Sequence, residues 1–301
     1  MFPIITIDDD APPDFPEQLG TKEKYWFRIE NQRCLFKIGR PDTGENWAEK
    51  IASELADLLG LPHAHYDLAV WKGRKGVLSP LVVPETGRLI MGNELLAVIH
   101  SGYPTLDVRH VRDHTLTRIH ALLKNDVIGH PPGWKSPSDK ISSAYDLFLG
   151  YLLLDTWIAN QDRHHENWGL IRDQGQIYLA PSYDHAASMG QNETDAVRKD
   201  RLTTRDRGRQ ISSYVTKARS AIYDSKTSKK ALLTLELFRK AAEKSPNAAK
   251  IWLDQLKQVS EKAVQSLFEQ LPDGEITPLA KLFATKMLEL NKQRLLKTQK
   301  Q

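Results

Sequence analysis

The segment Ala144–Ala159, AYDLFLGYLLLDTWIA, is apolar on most sides when wound as a helix. Such a helix has no face to offer water and has to be enclosed by other elements. The 301 residues suffice for one large domain or for two lobes with a real core. A composition of 40% hydrophobic and 27% charged residues is ordinary for a folded protein of that size. The buried helix ends near Asn160, and the next segment is polar: Gln161-Asp162-Arg163-His164-His165-Glu166-Asn167. Asp162 and Asn167 therefore lie on one loop at the end of a core element. A hairpin comes next, Trp168–Arg172 and Gln176–Ala180 about a turn at Asp173-Gln174-Gly175. It returns the chain to Pro181-Ser182-Tyr183-Asp184 and brings Asp184 beside the loop.

Upstream the pattern is different. Residues 1–16 hold three consecutive aspartates and four prolines and read as a flexible arm. Lys24–Glu30 and Arg33–Ile38 read as strands about Asn31-Gln32. Glu45–Leu59 reads as a helix with Ala48, Ile51, Ala52, Leu55 and Leu59 on one face, stopped by Gly60 and Pro62. Tyr66–Trp71 and Gly76–Val83 read as further strands. Residues 17–84 thus form a small sheet with one long helix. Residues 85–301 are mostly helical, with Leu106–Leu123 a second strong helix and a polar helical tail from Lys229 onward. The fold class expected is α+β, in two lobes.

The residue types point to phosphoryl transfer, which needs groups that hold a polyphosphate, hold Mg²⁺ and orient an acceptor hydroxyl. Mg²⁺ takes oxygen ligands, few of them from protein. Asn167 and Asp184 would supply one each, and Asp162 would accept a hydrogen bond from the acceptor hydroxyl. Lys37 stands inside the apolar run LFKI, where an ammonium needs an anionic partner. An ATP phosphate is one such partner, and a carboxylate of the next helix, Glu49 first and Glu45 second, would hold the lysine straight. Gly20-Thr21-Lys22-Glu23-Lys24 would cover the phosphates with backbone N–H groups. His164 is read as ordering the loop or lining the nucleotide site.

These segments, LFKIGRPDTGENWAEKIASELADLLGLP, ANQDRHHENWGLI and YLAPSYDHAASMG, resemble those of the HipA-like kinases. The resemblance runs from about residue 17 onward. It implies a bilobal, protein-kinase-like fold and ATP- and Mg²⁺-dependent serine/threonine phosphorylation. Asp162 resembles the family's catalytic aspartate, Asn167 and Asp184 its metal ligands, and Lys37 its nucleotide lysine. The GTKEK segment resembles its phosphate loop, with Gly20, Glu23 and Lys24 at matching places. About sixteen residues precede that loop here, so the chain looks like the compact members, such as the HipT toxins and the cell-translocating kinase. Glu17 stands where larger members carry an inhibitory autophosphorylation serine; any autophosphorylation is expected elsewhere, with Thr21 the nearest hydroxyl. The resemblance also implies a toxin or regulator, a protein substrate such as an aminoacyl-tRNA synthetase, and an antitoxin partner. The same ligand set serves small-molecule and lipid head-group kinases. A third reading is a catalytically silent nucleotide-binding scaffold in a toxin–antitoxin complex.

The remaining features exclude more than they assign. No run approaches 18 apolar residues, so no membrane span is expected. The acidic N-terminus does not read as a secretory signal, and the single cysteine, Cys34, fits a reducing cytoplasm. A net charge of +4 does not call for nucleic acid, and no helix-turn-helix is evident, so no direct DNA reading is expected. His63-x-His65 and His164-His165-Glu166 lack cysteine partners and the helical H-E-x-x-H spacing, so they are not read as zinc sites. The basic residues between Arg198 and Arg219 make either a solvated surface or a docking face for an acidic or tRNA-bearing partner. Trp47, Trp134, Trp157 and Trp168 read as packing residues.

Overall fold

The computed structural model describes residues 1–16, 22–107 and 110–299. Strand β1 is Ile4–Thr6, β2 Phe15–Pro16, β3 Lys24–Ile29 and β4 Gln32–Ile38; helix α1 is Glu45–Leu58; β5 is Asp67–Trp71 and β6 Arg74–Pro80. These six strands form one sheet in the order β1-β5-β6-β4-β3-β2. Residues 1–16, expected as a flexible arm, are therefore part of the sheet. Ile4–Thr6 pairs in parallel with Leu68–Val70, and Ile7 is buried behind it. The aspartates, with Pro12 and Pro13, occupy the connection between β1 and β2.

Alternation along β3 and β4 divides their residues between two faces. Phe27, Cys34, Phe36 and Ile38 turn to a small core with Trp71 and Leu78. Trp26, Leu35, Lys24 and Lys37 turn to the other face, paired in register as Trp26↔Leu35 and Lys24↔Lys37. Helix α1 lies against β5 and β6. Ala48, Ile51, Ala52, Leu55 and Leu59 are fully buried, as the 3.6-residue spacing predicts. Gly60, at φ +68°, takes the left-handed turn that ends the helix, and its N–H donates to the Asp57 carbonyl.

The second part begins with β7 (Arg88–Met91) and the short helix α2 (Gly92–Ile99), followed by α3 (Leu116–Leu123), β8 (Ile128–Gly129), α4 (Ala144–Ile158), β9 (Gly169–Asp173) and β10 (Gln176–Leu179). The expected helix Leu106–Leu123 shrinks to its last eight residues. Leu106 has no core to join and is 93% exposed, and the Thr115 hydroxyl caps α3 by accepting from Arg118 N–H. The expected hairpin is present, with Gln174 and Gly175 both at positive φ in its turn. It is the centre of a four-stranded sheet, β7-β9-β10-β8.

Helix α4 is capped by Ser143, whose hydroxyl accepts from Asp146 N–H while Asp146 accepts from Ser143 N–H. All fifteen of its residues are buried. Around it pack α1, α3, α7 (Thr234–Lys244), α8 (Pro246–Gln258) and α10 (Pro278–Thr298), the last three in the most extensive contact, while α5 (Asp195–Thr203), α6 (Ile211–Tyr214) and α9 (Glu261–Glu269) pack on α10. Trp47, Trp157 and Trp168 are buried in this core, and Trp134 stacks on Trp252. No described helix is long and apolar enough to cross a membrane.

Candidate active site

Lys24 and Lys37 face each other across β3 and β4 on the side turned toward the second part. Like charges directly opposite repel, so this face requires anions. It meets them in Asp184 and Glu49. The Lys37 ammonium donates to Asp184 Oδ1 at 3.2 Å and to the Tyr66 hydroxyl at 3.1 Å, and lies 3.8 Å from Glu49 Oε2. Burial pulls the lysine toward neutrality, but Asp184 and Glu49 outweigh it and hold its pKa well above the ordinary value. Burial likewise opposes ionisation of Asp184, yet Lys37, Lys24 and Lys22 together keep its carboxyl far below the usual range. Burial raises the Glu49 pKa, with the Lys37 charge opposing it. Lys24 is shifted down by burial.

Glu49 is tied at both ends of the site. Its Oε1 accepts from the His185 N–H at 2.7 Å, so α1 is joined directly to the segment that carries Asp184. Asp184 itself sits at φ +59°, a left-handed conformation costly for an aspartate. Its N–H donates to the Tyr66 hydroxyl at 3.3 Å. Glu45, the second candidate partner of Lys37, instead pairs with Arg40 at 2.6 Å and Lys22 at 3.3 Å.

The loop after α4 is organised by a buried ion pair. Asp155, in the last turn of α4, accepts from Arg163 Nε and Nη2, both at 2.8 Å, and from Asn160 Nδ2 at 2.8 Å. Arg163 then donates to the Asn167 carbonyl at 2.7 Å and to Ser182 Oγ at 3.0 Å. One guanidinium thus spans the end of α4, the far end of the loop and the approach to Asp184. Asn167 Nδ2 donates to the Asp162 carbonyl at 2.7 Å, which fixes the sense of the amide and leaves Oδ1 as its free oxygen end. His164 Nδ1 accepts from Glu166 N–H at 3.2 Å, and its Nε2 lies 3.9 Å from Asp162 Oδ1. Behind the loop, Gly92 and Asn93 of α2 donate to the carbonyls of Trp168 and His165.

Between the sheet face and this loop runs a cleft of about 770 Å³. Lys22, Lys24, Lys37 and Arg40 line one end, facing Asp162, His164, Asn167 and Asp184. Trp26, Leu35, Leu81, Val82, Val83, Leu89 and Met91 form an apolar end. A flat apolar base fits the second end, and a polyphosphate fits the cations at the first. Asp184 and the Asn167 oxygen end are hard oxygen donors on the same wall, which suits Mg²⁺. Among the sequence-predicted residues, Lys22, Lys24, Lys37, Asp162, His164, Asn167 and Asp184 share this cleft, and Glu49 lies beneath it against Lys37. Glu23 does not line it, contrary to expectation. Strand alternation turns its side chain the other way, where Arg74 clamps it with two hydrogen bonds and holds its pKa down to about 2. Gly20, Thr21 and Glu17 lie outside the described residues.

Sequence reasoning missed Tyr66, Asp155, Arg163 and the apolar end. The signal for Arg163 was available: a charged residue wedged between a core helix and a core hairpin needs a buried partner. The basic segment is less free than its composition implies. Arg198 is buried against Asp195 and the carbonyls of Gly190 and Gln191, Arg209 pairs with Asp200, and Arg201 lies over the Tyr214 ring.

The fold has counterparts among solved structures. The Helicobacter pylori proinflammatory kinase CtkA superposes with a TM-score of 0.71 at 17% identity, over 98% of this chain and 99% of that one. HipA from the Shewanella oneidensis toxin–antitoxin complex with HipB and operator DNA matches with a TM-score of 0.54 at 13% identity, over 96% of this chain and 66% of that one. No protein-family model matches the chain, and no curated protein matches it significantly. The chain thus has the fold of the HipA-like kinases, shared along its full length with CtkA.

Proposed function

We propose that this chain is an ATP- and Mg²⁺-dependent kinase that phosphorylates serine or threonine of a protein in the cytoplasm. The observation that carries this reading is the closed set Lys37, Glu49 and Asp184 facing Asp162 and Asn167 across one cleft. Lys22, Lys24 and Lys37 bind and orient the phosphates by charge, and Glu49 keeps Lys37 extended. Asp184 and the Asn167 amide oxygen would hold Mg²⁺, which when bound neutralises phosphate charge. Asp162, about half exposed at the cleft mouth, accepts the hydroxyl proton of the acceptor. The apolar end under Leu81–Val83 excludes water from the base. A role as toxin or regulator, with an antitoxin partner and a substrate such as an aminoacyl-tRNA synthetase, rests on the HipA likeness. Incubation with γ-labelled ATP, Mg²⁺ and a cell lysate tests the reading. Label should enter a protein, and Asp162→Asn should lower the transfer by about 10²–10⁴-fold with the circular dichroism spectrum unchanged. Label found only in metabolites or lipids would make it a small-molecule kinase. Nucleotide binding without any transfer would make it a scaffold.

A further inference from the structure

Outside the cleft, three metal-ligating side chains meet at the C-terminal end of α1. Asp57 lies in the last turn of that helix. Gly60 reverses the chain, and residues 62–66 run back extended, with His63 bridged to Ser182. In an extended segment residues two apart face the same side, so His63 and His65 present their rings together, with centroids 4.6 Å apart. One ligand atom from each of Asp57, His63 and His65 lies within 4.8 Å of the others.

His63 is oriented as a ligand would be. Its Nδ1 lies 2.9 Å from the Ala64 carbonyl oxygen and 3.2 Å from Ser53 Oγ; with the Nδ1 proton given to that carbonyl, which can only accept, Nε2 is the nitrogen left with the lone pair. Nε2 then faces Asp57 Oδ1, 3.1 Å away. The side chain is 2% exposed, and Nε2 makes no hydrogen bond of acceptable geometry. A ring-nitrogen lone pair facing a carboxylate at that distance is favoured by a positive centre between them, a proton or a metal ion, and Asp57, about half exposed, leaves the pair open to ions from solvent. Zinc bonds of about 2.0–2.2 Å in tetrahedral geometry place two ligand atoms roughly 3.3 Å apart, close to the 3.1 Å between His63 Nε2 and Asp57 Oδ1. His65 is exposed and free to swing into the third position.

We propose that Asp57, His63 and His65 form a site for a Zn²⁺-class divalent transition metal, with the fourth position open to solvent. The Ala64 carbonyl is the outer contact that fixes the His63 tautomer. The H-x-H pair lacks further ligands nearby in sequence, because Asp57 joins it only through the turn at Gly60. The site braces a segment that matters to the cleft. Ala64 N–H donates to the Ser182 carbonyl at 2.8 Å and Ser182 N–H to the Pro62 carbonyl at 2.9 Å. Tyr66 comes directly after His65, and Asp184 stands two residues after Ser182.

The test uses tag-free, chelator-stripped full-length protein titrated with Co²⁺ and followed by visible absorption. One Co²⁺ per chain should give the intense bands of four-coordinate cobalt, displaced by Zn²⁺. His65→Ala and Asp57→Asn should each weaken binding by about tenfold or more. Because His65 is exposed, its variant tests the site even if Asp57→Asn fails to fold. Absence of stoichiometric four-coordinate cobalt, or binding unchanged in His65→Ala, overturns the proposal and leaves His63 and Asp57 as a hydrogen-bonded pair. Cobalt held at the cleft carboxylates would survive His65→Ala and counts against it too.

Discussion

Asp155→Asn is the substitution whose consequence the structure constrains most. Both residues of the Asp155–Arg163 pair are buried, with side chains 4% and 1% exposed. Burial opposes the Arg163 charge and Asp155 is its chief compensation. Removing one partner of such a pair leaves an uncompensated buried ion, a loss of about 3–5 kcal/mol. With an unfolding entropy of roughly 2.1 cal/mol/K per residue, a chain of 301 residues loses about 6 °C of melting temperature for 4 kcal/mol. The amide also cannot accept both Arg163 bonds and the Asn160 bond as the carboxylate does, so the loop end at Asn167 should loosen and transfer activity fall with it. Thermal and urea unfolding measure the stability, and a cycle with Arg163→Met isolates the pair. The double variant should regain part of what Asp155→Asn loses, because it removes the stranded charge. A loss below about 1 kcal/mol in Asp155→Asn, with no recovery in the double variant, would refute the claim that this pair holds the loop.

The same geometry sets other outcomes. Asp184→Ala should abolish the Mg²⁺ enhancement of ATP binding while leaving magnesium-free binding measurable, since Lys37 and its neighbours remain; calorimetry with and without Mg²⁺ decides it, and an unchanged enhancement removes Asp184 from the metal. Stability should fall on mild acidification: burial keeps His114 neutral down to about 3 and His165 down to about 4, whereas both take up protons near 6.5 once unfolded. The unfolded chain alone binds protons in that window, so each ring should withdraw about 1.4 kcal/mol between pH 7.5 and 5.5. His114→Gln, which can still accept from Trp168 and donate to the Ala221 carbonyl, should flatten the slope by about one proton, and an identical slope would show that His114 does not titrate this way. Gly92→Ala would place a Cβ 2.4 Å from the Trp168 ring and 2.6 Å from the His165 carbonyl oxygen, and should destabilise by about 1–3 kcal/mol in denaturant titrations; a change under about 0.5 kcal/mol would mean α2 does not brace the loop.

Periodicity and punctuation alone determined much of this protein. The all-apolar run 144–159 had to be a central helix, because no face of it tolerates water. A lysine inside the apolar strand run LFKI already called for an anionic partner, and Gly60 marked the end of α1 because a left-handed turn suits glycine. Such signals are local, and they fail where a decision is not. The run before α3 carries a helical pattern, yet Leu106 is left exposed, and the acidic, proline-rich start of the chain gained order by pairing with β5 and β3. Glu23 sat among predicted nucleotide contacts until strand alternation and Arg74 turned it outward. What only the tertiary structure decided is who meets whom across the cleft. Lys37 and Asp184 are 147 residues apart, Glu49 reaches the backbone of His185, Arg163 ties α4 to Ser182, and Asp57 completes a histidine pair beyond a reversed turn. Each of these encounters involves a charged side chain meeting a partner beyond its own element, and its energy depends on distance and burial, quantities a linear chain does not carry.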